Sequence, residues 1–436
     1  MKSPNILYIH SHDTGRYVQP YGHAVLTPNI QRLAEGGVLF RQAFCANPTC
    51  SPSRASLLTG KWAHSCGMLG LVNRGFSMSD YSQHIVHTLR DGAGYHSVLG
   101  GLQHVAKDPA QIGYDRILDG ERGPEQVVSR TVDFLKDAPA QPFFLDTGFF
   151  VTHREFPEPG PDEDPRYCLP PAPMPDTPEN RYDMAAYKAS ARILDDSIGA
   201  ILDALDENGL AENTLVICTT DHGIAFPGMK CNLTDHGIGV MLIMRGPGGF
   251  TGGKVCDAMV SHIDVLPTIC DLLDIAAPEG VQGSSMMPLI RGEVESIHEE
   301  IFAGVNYHAA YEPQRAVRTQ RWKYIRRYSD RQKPVLPNCD GSPSKDVWMR
   351  HDWQDRYVAP EQLYDLIFDP NETHNLVDDS GVTPVLEDMR HRLDRWMDET
   401  DDPLLRGPVP PDPGAQLNDP ASVSPPYALY LSLIHI

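Results

Sequence analysis

The sequence predicts an α/β fold, a large mixed sheet flanked by helices, with a smaller α+β unit behind it. Three observations carry that reading. Through roughly the first 290 residues, short apolar runs of strand length alternate with helical patterns. Several of those runs end in clusters of polar residues, where the ligands of open α/β sheets gather. The chain has 436 residues, whereas single cores stop growing near ~250–300 residues. The expected division is 1–292, 293–402 and a proline-rich tail over 403–436.

In chain order, Ile6-Leu7-Tyr8-Ile9 reads as a central parallel strand, with His10-Ser11-His12-Asp13-Thr14-Gly15 at its end. Thr27-Pro28 opens a helix that carries Ile30 and Leu33 and stops at Gly36-Gly37. An aromatic strand over 38–44 delivers the chain to Cys50-Ser51-Pro52-Ser53-Arg54, ahead of an apolar helix start at 55–58. Strands over 95–99 and 142–150 end in Gly100-Gly101-Leu102-Gln103-His104 and Val151-Thr152-His153-Arg154. Residues 155–178 are rich in proline and acid and read as an irregular surface loop, either bordering a pocket or acting as a spacer. Between 182 and 208, Ile193, Leu194, Ile198, Ile201, Leu202 and Leu205 fall at helical spacing, with Gly209 as the stop. A strand over 214–220 runs into Asp221-His222-Gly223, and Lys230 follows in Gly228-Met229-Lys230-Cys231-Asn232-Leu233. Residues 240–245 predict a further strand and 262–275 a helix. Strand-like runs then occupy 300–307, 316–328 and 362–367, before a helix over 384–399.

The stretch Cys50-x-Pro52-Ser53-Arg54 resembles the signature by which sulfatases have a cysteine oxidised to formylglycine. Four fixed residues at set spacing recur by chance in roughly one chain of this length in a thousand. The pattern after it, Leu57-Leu58-Thr59-Gly60 and Cys66-Gly67-Met68, is similar to the heparan N-sulfatase branch. Arg318-x-x-Arg321-Trp322-Lys323-Tyr324 and Leu363-Tyr364-Asp365 further on resemble the sulfatase C-terminal domain. The resemblance implies an alkaline-phosphatase-like α/β sandwich, with a C-terminal four-stranded antiparallel sheet and one helix. It implies a hydrolase of sulfate esters or sulfamates. Once hydrated, the Cys50 aldehyde would attack sulfur with one hydroxyl and expel sulfate with the other, splitting one difficult step into two.

The same resemblance implies roles for individual residues. Asp13, Asp221, His222 and the modified Cys50 would hold a divalent metal, with His12 standing where the family has another aspartate. Calcium is the family default and prefers oxygen ligands, while bound imidazoles shift the choice toward manganese, zinc or iron. His104 matches the base for sulfate release, but Leu102 stands where the family has a lysine. His153 matches a histidine at the sulfate and the bridging oxygen, and either it or Asp221 would protonate the leaving group. Lys230, Arg54 and Arg154 would hold sulfate. Taken alone, Cys50 and Cys66 would read as structural thiols and Lys230 as a surface lysine.

Composition narrows the partners. The chain has 37 Lys plus Arg against 58 Asp plus Glu, a formal net charge of −21, which argues against a general nucleic-acid or anionic-membrane surface. No apolar run approaches the ~20 residues of a membrane span. The first residues leave no room for a signal-peptide core, and nine irregularly spaced cysteines suit a reducing compartment, so cytoplasm is the expected location. The expected partners are a small sulfated substrate, such as a sulfated sugar, and a formylglycine-generating maturation enzyme. Oligomeric state is left open. Two other readings stand beside the sulfatase one: a phosphonate monoester or phosphodiester hydrolase of the same superfamily, and a non-catalytic binding protein on the same fold.

Overall fold

The computed structural model describes residues 3–137 and 139–423. Eight strands form the first sheet: β1 (Asn5–His10), β2 (Val38–Phe44), β3 (His96–Gly101), β4 (Arg116–Leu118), β5 (Phe143–Gly148), β6 (Thr214–Thr219), β7 (Leu242–Arg245) and β8 (Lys254–Ser261). Their order is β4-β3-β5-β1-β6-β7-β2-β8. Neighbours pair in parallel except β7, which runs antiparallel to both β6 and β2. The sheet is therefore mixed, as expected.

β1 shows why the fold has three layers. Alternate side chains leave a strand on opposite faces, so Ile6 and Tyr8 join one buried cluster with Leu57, Leu58 and Ile85. Leu7 and Ile9 join the other, with Leu194, Ile198 and Leu202 of the helix Pro178–Glu207. Both faces of the strand are covered, so it reads as a continuous apolar run.

The register brings the chemistry to one edge. His10 of β1 is paired with Gly148 of β5 and with Thr219 of β6, and Gly148 is paired with Gly101 of β3. The segments after β1, β3, β5 and β6 therefore leave the sheet side by side, and β2 sends its carboxyl end the same way. Gly148 has no room for a side chain, since a Cβ there would overlap the Leu102 carbonyl oxygen and the His10 ring.

A second sheet contains β9 (Glu300–Tyr307), β10 (Tyr311–Thr319), β11 (Trp322–Arg327) and β12 (Glu361–Asp365), all antiparallel. Helix Thr383–Glu399 covers it through Leu386, Met389, Leu393 and Trp396, against Val317, Tyr324 and Leu363. The run read as one strand over 316–328 is instead part of a hairpin. Its Gln320-Arg321 turn contains neither glycine nor asparagine, and the Thr319 hydroxyl stabilises it by accepting from the Trp322 amide at 3.0 Å. Strands β4 and β8 gave no signal in the sequence, β4 because it has three residues and β8 because its first four are exposed or half-buried.

Two further differences bear on the site. The helix carrying Cys50 begins at Cys50 itself and runs to Thr59, with all ten residues buried, so the whole signature is its first turn. Pro52 fits there because first-turn amides have no intrahelical partner. After Pro403 the chain stays anchored. The Tyr307 hydroxyl donates to Val409, and Arg74 donates to the Gln416 carbonyl and to Asn418. Residues 424–436, the rest of the expected tail, lie outside the described residues.

Candidate active site and metal centre

Five donor groups meet at the carboxyl edge of the large sheet. One ligand atom from each of His12, Asp13, Cys50, Asp221 and His222 lies within 4.8 Å of all the others, and all five residues are buried. His12 Nδ1 is 2.8 Å from Asp13 Oδ1 and 3.1 Å from Asp221 Oδ2. His222 Nε2 is 3.3 Å from Asp13 Oδ1 and 3.4 Å from Cys50 Sγ. Donors around one ion at ~2.1 Å stand about 3 Å apart in an octahedron, so this set fits a divalent metal.

The backbone is bent to make the cluster. Asp13 (φ 55°) and His104 (φ 57°) both occupy the left-handed region, at a cost on the order of 1 kcal/mol each. The Asp13 amide donates to Asp221 Oδ1 at 2.8 Å, tying the end of β1 to the end of β6.

Two cations balance the carboxylates. Arg54 Nη2 is 3.0 Å from Asp221 Oδ2 and donates to the Ser11 carbonyl at 2.8 Å. Lys230 Nζ is 2.7 Å from Asp13 Oδ2 and 2.9 Å from Asp340 Oδ2. Burial alone would raise the Asp13 carboxyl, but Lys230 and the neighbouring imidazoles hold it well below the usual carboxylate range. Asp221 is likewise buried yet held low by His12, His222 and Arg54. Burial pushes the Cys50 thiol well above its ordinary value, against the pull of Lys230. An unmodified Cys50 is thus a poor thiolate nucleophile here.

Burial depresses three of the imidazoles. Burial lowers His12 to about 4. His104 is pushed well below its ordinary value by burial and then by His12 and Arg54, and its Nδ1 has no partner among the described residues. His153 is lowered by burial and then by Lys230. Its Nδ1 meets the Arg154 carbonyl, which leaves Nε2 facing Lys230 Nζ at 3.4 Å.

Of the residues named from the sequence, His12, Asp13, Cys50, Arg54, His153, Asp221, His222 and Lys230 come together here, and His104 packs its ring 5.6 Å from that of His12. Arg154 is a correction. Its guanidinium makes a two-pronged pair with Asp183 at 2.6 and 2.7 Å, donates to the Ala225 carbonyl, and lies over the Phe156 and Phe226 rings. With three of its five N–H donors engaged inside the protein, it fastens the 151–156 segment to helix Pro178–Glu207 rather than holding sulfate. Asp221 is also unsuited to protonate a leaving group, because its ionised form is the stabilised one. Leu102 is buried and brings no charge to the site.

Sequence reasoning missed two groups. Asp340 reaches Lys230 from the segment after the second sheet's hairpin, and no motif marks it. A buried chain also runs behind Arg54. Its Nη1 meets His10 Nδ1, His10 Nε2 donates to Asp146 Oδ1 at 2.9 Å, and Tyr114 donates to the other Asp146 oxygen. The only hint was a histidine and an aspartate inside strands that otherwise read as apolar.

Residues 4–275 match the family model described as Sulfatase. Residues 229–351 match the model described as N-sulphoglucosamine sulphohydrolase, C-terminal. Human N-sulphoglucosamine sulphohydrolase is 29% identical over 469 residues, covering 93% of this chain and 92% of the relative. The structure of BT4656 in complex with its substrate D-glucosamine-2-N,6-O-disulfate superposes with a TM-score of 0.73 at 19% identity, over 93% of this chain and 99% of that one. Phosphonate monoester hydrolase of Agrobacterium radiobacter superposes with a TM-score of 0.72 at 20% identity, over 94% and 100%. At these identities the two structures establish the fold alone, the alkaline-phosphatase-like arrangement expected from the sequence.

Proposed function

This chain belongs to the sulfatase family, and from that premise we propose that it hydrolyses a sulfate ester or sulfamate through a nucleophile made from Cys50. The observation that carries the reading is the convergence of Cys50 with two carboxylates and two imidazoles on one buried point. A non-catalytic protein has no use for a maturation signature placed there. A divalent ion held by Asp13, Asp221 and His222, with His12 beside them, would draw charge from the sulfate. An aldehyde at position 50 would supply, as its hydrate, a nucleophile that the unmodified thiol cannot.

The chain's own residues do the rest. Lys230 and Arg54 set positive charge against sulfate oxygens. His104 accepts a proton at its unpartnered Nδ1. His153, rather than Asp221, serves the leaving atom: its Nδ1–H donates to the Arg154 carbonyl, so Nε2 relays a proton taken from the Lys230 ammonium 3.4 Å away. The substrate class is a small sulfated sugar, on likeness to relatives of that kind. The two sheets support the division at 292/293. Nine free cysteines support a reducing compartment. No helix among the described residues is long and apolar enough to cross a membrane.

The test is peptide mass spectrometry after co-expression with a formylglycine-generating enzyme. Trypsin releases the peptide 42–54, which carries both Cys45 and Cys50. Conversion of Cys50 alone, with Cys45 kept as a thiol, is the expected result; two unmodified thiols remove the basis of the reading. A second reading, phosphonate monoester or phosphodiester hydrolysis, is favoured by the imidazole-bearing donor set. Matured protein should turn over an aryl sulfate faster than an aryl phosphonate, and the reverse order selects the second reading.

A further inference from the structure

Asp340 poses an electrostatic problem. A pocket that receives an anion gains from buried cations and loses from buried carboxylates, and Lys230 already has Asp13 at 2.7 Å. A second carboxylate 2.9 Å from the same ammonium is not needed to neutralise it. Asp340 is nonetheless buried and held ionised. Burial alone would raise it, but Lys230 and then His153 keep it below the usual carboxylate range. It sits on the His153 side of the site, since ligand atoms of Asp340, His153 and Asp13 all lie within 4.8 Å of one another. If His153 serves the leaving atom, Asp340 stands beside the leaving group and not on the far side of the sulfate.

His308 accompanies it. This residue follows β9, is 7% exposed, and its Nδ1 has no hydrogen-bond partner in the protein. The two segments are locked together. Asn338 accepts from the Ala310 amide at 2.8 Å and donates to Glu312 Oε2 at 2.9 Å. Lys345 Nζ donates to the carbonyls of Leu336 and Cys339 at 2.9 and 2.6 Å. Charge on Lys230 and Asp340 acts on His308, while burial is the main cause keeping its imidazole neutral. A fixed carboxylate and a fixed imidazole with an unused ring nitrogen are a preorganised set of acceptors.

We infer that Asp340 and His308 form a leaving-group subsite that selects an alcohol or amine bearing neighbouring O–H or N–H donors, as on a sugar ring, and disfavours a leaving group with an anion at that place. The inference rests on the hydrolase reading. It adds that the second sheet unit supplies the specificity. A sugar donor in the subsite adds a hydrogen bond to the Asp340 carboxylate already paired with Lys230, an aryl group adds none, and a carboxylate or second sulfate is repelled.

The experiment compares kcat/KM for D-glucosamine N-sulfate and 4-nitrophenyl sulfate in the matured wild type, Asp340→Asn and His308→Gln. Loss of a buried partner for substrate donors should lower the ratio of sugar to aryl by about tenfold or more in Asp340→Asn. His308→Gln should move it in the same direction and serves if the first variant does not fold. An equal fall on both substrates means that Asp340 only positions Lys230, and overturns the inference. Binding of D-glucosamine itself, followed by NMR titration, needs no turnover. It should weaken in both variants, and equal binding to wild type and variants overturns the subsite even if neither sulfate is hydrolysed. Failure of the wild type on both sulfates, with D-glucosamine binding still lost in the variants, sinks the hydrolase reading and leaves the subsite standing.

Discussion

In the first cluster His12, Asp13, Asp221 and His222 hang from the adjacent ends of β1 and β6 and Cys50 joins them from the first turn of its helix, while the cluster of Lys230, His153 and Asp340 is closed by a residue 110 positions beyond its lysine. The first is fixed by strand register: His10 faces Thr219, so the segments that follow must meet. The second exists only when the smaller unit docks, because Asp340 belongs to a segment tied to the β9–β10 turn through Asn338. Chemistry common to a family can be carried by register alone. Discrimination between leaving groups can be carried by the docked unit and changed without disturbing the first cluster.

The largest effect expected from breaking this arrangement is at position 50. Cys50→Ala should abolish turnover by more than about 10⁴-fold, as loss of a covalent nucleophile does. The same variant should retain metal, because four donors from register-fixed segments remain. Metal analysis of the purified variant checks this; loss of metal together with activity would show that Cys50, not register, organises the first cluster.

Next is the metal itself. Chelation should remove activity, and manganese or zinc should restore it better than calcium, since imidazole suits those ions and oxygen-only shells suit calcium. His12→Asp should move the preference toward calcium, with a change in affinity of about 10–100-fold. Equal rescue by all three ions in both proteins would mean that His12 stays outside the metal shell.

His10 tests whether support behind the first cluster matters as much as its ligands. Only one neutral tautomer serves both neighbours: Nε2–H toward Asp146 and an unprotonated Nδ1 toward Arg54. His10→Leu leaves the buried Asp146 carboxylate without that donor and frees Arg54 to shift. We expect kcat to fall about 10–100-fold, as for loss of a supporting hydrogen bond. A glutamine can present an amide N–H to Asp146 and a carbonyl to Arg54, so His10→Gln should recover most of the loss. If the two variants behave alike, Arg54 does not depend on that chain.

The same contrast explains what could be read from the sequence. Segments after β1, β2, β3, β5 and β6 were legible as polar ends of apolar runs, and Cys50 with its neighbours was legible because maturation demands fixed spacing. Asp340 and His308 were not, because their meaning depends on which turn they face, and neither lies in a local pattern. His10 and Asp146 lay in plain view inside β1 and β5, yet only the register that pairs Tyr8 with Asp146 makes them partners. Arg154 misled for the converse reason. An arginine beside His153 looks available for sulfate until the helix that carries Asp183 is packed against it. The hairpin at 319–322 escaped because turns are recognised by glycine or asparagine, and this one is held by a threonine side chain instead.

The smallest expected effect concerns how the two units stay together as the pH falls. His64, in the short helix Ala63–Cys66 after the Cys50 helix, donates or accepts at Nε2 with the Thr400 hydroxyl at 2.9 Å. It also packs edge-on to Trp396 of the helix covering the second sheet. Burial, and then Arg315, lowers this imidazole to about 4, against the opposing pull of Asp402 and Asp401. An imidazole with a depressed folded value contributes stability that is fully present above its unfolded value of ~6.5, and that is lost progressively as the pH falls toward 4. A gap of this size corresponds to about 3 kcal/mol between the ends of that window, to order of magnitude. His64→Gln keeps a hydrogen-bonding group but cannot be protonated, so its apparent unfolding midpoint should fall less than that of the wild type between pH 7 and pH 5. Parallel curves for the two proteins would place the acid sensitivity elsewhere, and His84, also buried and lowered to about 4, lies inside the first unit, where a loss would not separate the two sheets.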